Sequence, residues 1–230
     1  MSILQRWGEN IWIADGPRVS AFGPVTLPTR MIVVKLRDGS LWVNSPVEPS
    51  PDVLTQVRGV GPIRYLVAPT PMHIWRLEPW ITLLPLAQLW GPPKARSAPA
   101  NRPFAGLLGD VAPTEWAEDI EQVVFRGNVF LDEVEFFHKS SRTLIVADFI
   151  QNYPAVKGDV LGNFVKMLGG VRDGGVPRDI RWSITDRRKA RASLAKLLAW
   201  DFDKAIVAHG ACVEHDAKPF VETAFRWLSG

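Results

Sequence analysis

Two stretches decide how this chain reads: RTLIVAD, Arg142–Asp148, and DFDKAIVAHG, Asp201–Gly210. Each is a short apolar run that stops on a titratable group, Leu144–Ala147 on Asp148 and Ala205–Ala208 on His209. An apolar run of this length bounded by turn residues reads as a strand buried on both faces. A third such run, Ile63–Ala68 (IRYLVA), closes at Pro69-Thr70-Pro71 and is followed by His73. Polar groups just past the carboxyl ends of buried strands are where α/β folds build their sites. His73, Asp148 and His209 are therefore the candidate site residues. Two imidazoles and a carboxylate make a ligand set for one transition metal, with a position left open for water.

Outward from these strands, Met31–Leu36 and Leu41–Asn44 flank Arg37-Asp38-Gly39-Ser40, an Asp-Gly hairpin signal. Asn10–Asp15 reads as an earlier strand. Pro49–Val57 opens a helix, with Ser50 as cap, Pro51 in the first turn, and Val53, Leu54 and Val57 at helical spacing. Hairpin, helix, strand in succession predicts that Leu41–Asn44 and Ile63–Ala68 run parallel. Leu86–Trp90 is a further strand, and Lys94–Pro113, rich in Pro, Gly, Ala and Arg, reads as an irregular connector.

The second half repeats the plan. Ile120–Arg126 is a strand, and Val129–Phe137 alternates, with Phe130, Val134 and Phe136 set apart from Glu133 and Glu135. That alternation predicts a solvated face carrying the two glutamates. Val160–Leu168 places Leu161, Phe164, Val165 and Leu168 at helical spacing. Thr185 or Asp186 caps a helix with Ala190, Leu194, Leu197 and Leu198 on one stripe, and Pro219–Leu228 is the last helix. The expectation is one α/β (α+β) domain over residues 1–230: two pseudo-repeat halves, seamed near 94–115, forming two packed sheets flanked by helices.

Composition narrows the function. The chain has 230 residues, 47% of them hydrophobic and 22% charged, a net charge of +3, ten tryptophans and one cysteine. Scattered basic residues give no nucleic-acid footprint, and the Arg187–Arg191 cluster suits a solvated helix face. No apolar run approaches the ~18 residues a membrane span needs. The lone Cys212 cannot form an internal disulfide, and Met1–Glu9 lacks the shape of a secretory signal, so a cytoplasmic protein is expected. Trp is costly to place, because its ring needs cover and its N–H an acceptor. Trp75, Trp80, Trp90 and Trp182 are candidates for an apolar ligand pocket, with core packing or a homodimer surface as the alternative.

The order of these features resembles the metallo-β-lactamase superfamily from Asn10 to Gly210. Asp186–Gly210 is similar to its C-terminal helix, strand and histidine, and RTLIVAD to its strand ending in a metal-bridging aspartate. GSLWVNSPVEPSPDVLTQV and IRYLVAPTPMH stand where that superfamily has its hairpin, first helix and the strand leading to its histidine motif. The resemblance is to a degenerate, uncharacterised branch, a domain of unknown function, in which LVAP…H, SRTLI.AD and the final HG recur. It implies a four-layer αββα sandwich and metal-dependent hydrolysis.

The departures bear on mechanism. The superfamily motif His-x-His-x-Asp-His corresponds here to Pro69–Arg76, with His73 as its one histidine. An aspartate expected after the early hairpin is Asn44, and Gly127-Asn128-Val129 has no histidine. His138, Cys212 and His215 are given no ligand role. What the resemblance leaves is at most one divalent metal (zinc, iron or manganese) on His73, Asp148 and His209, or none. The first reading is a residual hydrolase of a small ester or lactone. The second is a non-catalytic ligand-binding or protein-interaction module with a Trp-lined pocket.

Overall fold

The Asp38-Gly39 hairpin forms as the sequence predicts. Gly39 takes a φ of +84°, and the Asp38 carboxylate accepts from the Ser40 amide. The structure, a computed structural model, describes residues 3–22 and 25–229. The hairpin lies in a sheet of seven strands arranged in chain order: β1 (Gln5–Gly8), β2 (Ile11–Phe22), β3 (Val25–Lys35), β4 (Leu41–Asn44), β5 (Ile63–Val67), β6 (Gln88–Gly91) and β7 (Gly106–Leu107). Pairing is antiparallel up to β4 and parallel from β4 onward. The crossover from β4 to β5 is α1 (Pro51–Val60), whose first turn is fixed by Ser50 Oγ accepting from the Val53 amide at 3.3 Å. Between β5 and β6 lie a 3₁₀ segment, Pro71–Leu77, and α2 (Glu78–Leu83).

The second sheet has four strands: β8 (Ile120–Phe125), β9 (Glu133–His138), β10 (Thr143–Val146) and β11 (Lys204–Val207), in the order β11-β10-β9-β8. Four helices follow β10 or flank β11: α3 (Val160–Gly169), α4 (Arg178–Ser183), α5 (Arg187–Leu198) and α6 (Ala217–Phe225). β10 and β11 are parallel, with Val146 opposite Val207. That register alone brings Asp148 and His209, each two residues past its strand, to the same edge.

Three layers of apolar contact build the sandwich. Ile32, Trp42 and Tyr65 of the first sheet meet Val134, Phe136, Ile145 and Ile206 of the second. The outer face of the first sheet packs Val33 and Leu66 against Val53, Val57 and Trp80. The outer face of the second packs Phe125 and Val146 against Leu194, Leu197, Val221 and Phe225. The result is the expected four-layer αββα sandwich.

Four expectations change. The strand expected at Val129–Phe137 begins only at Glu133, and Phe130 is exposed. Glu133 and Glu135 are fully buried rather than solvated. β9 is an interior strand, so its alternation separates two covered faces, not core from water. The α3 helix forms between its Asp159 cap and left-handed Gly170, but Leu161, Phe164, Val165 and Leu168 stay exposed. Periodicity reports that a helix forms, not what covers it. The 94–113 connector also contributes β7 to the first sheet. Among the described residues, no helix is long and apolar enough to cross a membrane.

Candidate metal centre

Past β10 the chain turns sharply, and a buried carboxylate holds the turn. Glu133 Oε1 accepts from the Ala147 amide at 2.7 Å, and Oε2 accepts from Asp148 and Phe149 at 2.8 and 2.9 Å. This fixes the direction of Asp148. Its Oδ2 accepts from the Thr70 hydroxyl at 2.7 Å, while Oδ1 lies 3.1 Å from His209 Nε2 and 3.6 Å from His73 Nε2. One donor atom from each of the three residues lies within 4.8 Å of the others. All three side chains are buried.

Each imidazole is oriented from behind. His209 Nδ1 lies 2.7 Å from the Pro28 carbonyl, which can only accept, so Nδ1 carries hydrogen. Gly210, at φ +118°, lets the strand end approach Asn152, where a Cβ would collide with the Asn152 carbonyl. The Asn152 amide then donates to the His209 carbonyl at 3.1 Å, locking the His-Gly pair against the chain that follows Asp148. His73 Nδ1 lies 2.7 Å from Ser45 Oγ, whose hydrogen goes to Asn44 Oδ1 at 2.7 Å. Nδ1 of His73 is therefore also the protonated nitrogen. Both free Nε2 lone pairs face the Asp148 carboxylate, an arrangement that repels unless a cation lies among the three.

Electrostatics agree with this geometry. Burial lowers His73 to about 4 against the pull of Asp148, so it is neutral at pH 7. Burial works to raise Asp148, and the lowering that opposes it needs a proton on a facing Nε2 or a cation in its place, since both Nε2 lone pairs point at the carboxylate. Behind the turn, burial and then the Asp148 charge push Glu133 up to about 8. Burial and then the Glu133 charge raise Glu135 further. Glu133 is occupied as an acceptor by three backbone amides, so the proton of this pair sits on Glu135. Burial also lowers Arg76 to about 10, opposed by Asp148.

These residues fit one metal ion. His73 Nε2 is fully covered and has no hydrogen-bond partner, as suits a metal-ligand atom. The Nδ1–H contacts to Pro28 and Ser45 are the outer supports that metal-ligating histidines use. His73, Asp148 and His209 are the single such cluster among the described residues. Asn44 supports Ser45 rather than the centre, and Trp75, inside the altered histidine motif, is 53% exposed.

The four tryptophans scatter. Trp80 is buried in the core and donates to the Val47 carbonyl at 2.6 Å, and Trp90 packs edge-on against Trp116 at 4.8 Å. Trp182 is 79% exposed on α4. Trp75 lines a cleft together with Arg76, Val47 and Pro17. His138 pairs with Ser141 Oγ at 2.7 Å, and His215 is exposed near Asp203. Cys212 is half-buried against Arg30 at 3.0 Å. Sequence reasoning missed Ser45, Thr70, Glu133 and Arg76. The Thr70 signal was readable, since Thr before Pro71 caps the 3₁₀ turn by accepting from the Met72 amide. Arg76, a charge inside an otherwise apolar turn, was the other.

Fold and cluster together define a metallo-β-lactamase-fold protein with a His/Asp cluster that could hold a metal ion. The metallo-β-lactamase from Pontibacter korlensis superposes with a TM-score of 0.64 at 10% identity, over 99% of this chain and 98% of that one. The DIM-1 metallo-β-lactamase exposed to ceftazidime gives 0.59 at 17% identity, over 96% of each chain. The metal-soaked Flv1 flavodiiron core from Synechocystis sp. PCC6803 gives 0.62 at 12%, over 98% of this chain and 60% of that one. Among curated proteins none matches the sequence significantly. The model of the family described as "Domain of unknown function (DUF4336)" matches residues 9–167, and the chain belongs to that family. The solved structures show that its fold is the metallo-β-lactamase fold.

Proposed function

We propose that His73, Asp148 and His209 hold a single divalent ion, zinc, iron or manganese, in a residual hydrolase acting on a small ester or lactone. One observation carries the reading: the buried, unpartnered Nε2 of His73, directed with that of His209 at the Asp148 carboxylate. A bound divalent ion would supply Lewis acidity and acidify water. The chain's own residues do the rest. Ser45 and the Pro28 carbonyl keep both imidazoles in the ligating tautomer. Thr70 fixes one Asp148 oxygen and leaves the other facing the histidines. Three protein ligands leave a position for water or substrate.

Elemental analysis of protein purified without added metal tests this. Close to one zinc, iron or manganese per chain is expected in the wild type, falling at least about tenfold in Asp148→Ala and His209→Ala, a loss matching one ligand's share of affinity. A folded wild type that carries no metal and takes up none on dialysis against each ion would end the reading.

A further inference from the structure

Arg76, three residues past His73, is 5% exposed, and its Nε and Nη1 are covered without a hydrogen-bond partner. Asp148 acts on it through space, but no ion pair forms with it among the described residues. Its guanidinium also lies over the face of Trp75, 5.5 Å from the ring centroid. A buried cation is ordinarily paired, and an unpaired one is a strong acceptor of an anion.

Arg76 is part of the wall of a cleft of about 120 Å³, whose other walls include Pro17, Val47, Trp75 and Pro79, with Thr29 and the exposed Glu48. Thr29 follows the Pro28 that holds His209, and Trp75 and Arg76 follow His73, so the cleft is built from chain neighbours of the cluster, and Asp148 acts on Arg76 through space. We propose that this cleft binds a compact carboxylate-bearing molecule, its carboxylate on the Arg76 guanidinium and its short apolar part against Trp75, Val47 and Pro17. With Nε and Nη1 covered, the guanidinium meets the cleft as a single charged edge, which one carboxylate can satisfy. A phosphate asks for donors on every side, and this cleft offers one cation among apolar walls with an acid nearby. The inference names the substrate class of the centre proposed above. It rests on that reading only in making the ligand a substrate, since Arg76 can bind it without a metal.

Butyrate is the probe, titrated into the full chain after chelator treatment and followed by ligand-observed NMR. Saturable binding is expected, at least about tenfold tighter than that of uncharged butyramide and weakened at least about tenfold in Arg76→Gln and Arg76→Met. Both variants are checked for folding by thermal melting. The wild-type comparison of butyrate with butyramide decides the matter even if neither folds. Equal binding of the two probes, or unchanged butyrate binding in folded Arg76 variants, overturns the inference. Phosphate displacing butyrate equally well overturns the carboxylate assignment. Repeating the titration with zinc separates the two readings. Binding that needs zinc and ignores Arg76→Met leaves the metal centre standing and removes this inference. Arg76-dependent binding in a protein that takes up no metal does the reverse.

Discussion

His73 and His209 each commit one ring nitrogen to a fixed acceptor and leave the other facing Asp148. His138 also has Nδ1 committed, to Ser141 Oγ, but lies outside the cluster and is lowered by burial to about 4. That makes it the cleaner reporter of buried-histidine titration. Unfolded, it returns to an ordinary value near 6.5. Between about 6.5 and 4 the unfolded chain takes up a proton that the native state refuses, so stability falls as pH falls through this window. His73 has the same sign over the same range. Each is worth roughly 3 kcal/mol, set by the fall from 6.5 to about 4. The proton that Glu135 keeps in the native state works the other way over this range, so the histidine signal is read as a difference: in urea unfolding from pH 7 to 4.5, His138→Gln is expected to remove about one proton from the slope. A profile as steep in His138→Gln as in the wild type would remove His138 from the account.

At the scale of elements, the unit that sets the centre is the end of β10 with the interior strand β9 behind it. Glu133 gathers three amides of the turn, and the proton held by Glu135 lets the two carboxyls sit together. The two glutamates should therefore respond differently to the same change. Glu135→Gln keeps a donor toward Glu133 and is expected to be nearly neutral. Glu133→Gln sets an amide against backbone donors and is expected to cost roughly 1–3 kcal/mol. It should also lower metal retention, because the turn it holds carries Asp148. Urea midpoints and metal content of the two variants check this, and equal effects would put the proton elsewhere. Asp148 and His209 are legible in the sequence because an apolar run with a titratable stop has few other meanings. Glu133 is not, because alternation cannot say whether the polar face meets water or a second layer. The α3 stripe misleads for a related reason: its spacing is right, and nothing among the described residues buries it. His73 is half-legible, since the strand before it is plain but its 3₁₀ turn has no periodic signal.

At the scale of the molecule, the candidate centre lies on the joint between the two sheets. His73, Thr70 and Pro28 come from the first half, and Asp148 and His209 from the second. Arg30 of β3 donates to the Gly210 carbonyl at 2.7 Å, and the Val134 amide donates to the Pro69 carbonyl at 3.0 Å. The largest aromatic cluster also sits there: Trp42, Trp90 and Trp116 meet edge to face between the sheets. Neither half keeps a covered inner face without the other. Exposing that face in one half removes the burial that stabilises it, at about 25 cal/mol per Å² of apolar surface. Residues 1–230 are therefore expected to unfold as one unit, despite a connector at 94–115 that reads as a seam. Tryptophan fluorescence, weighted by the inter-sheet rings, and far-ultraviolet circular dichroism, weighted by all the helices, should give the same urea midpoint. Adding the metal should move both midpoints upward together, because the ion binds only the docked sheets. Two separated midpoints, with the metal shifting one alone, would make the connector a domain boundary and the centre an interface between independently folding halves.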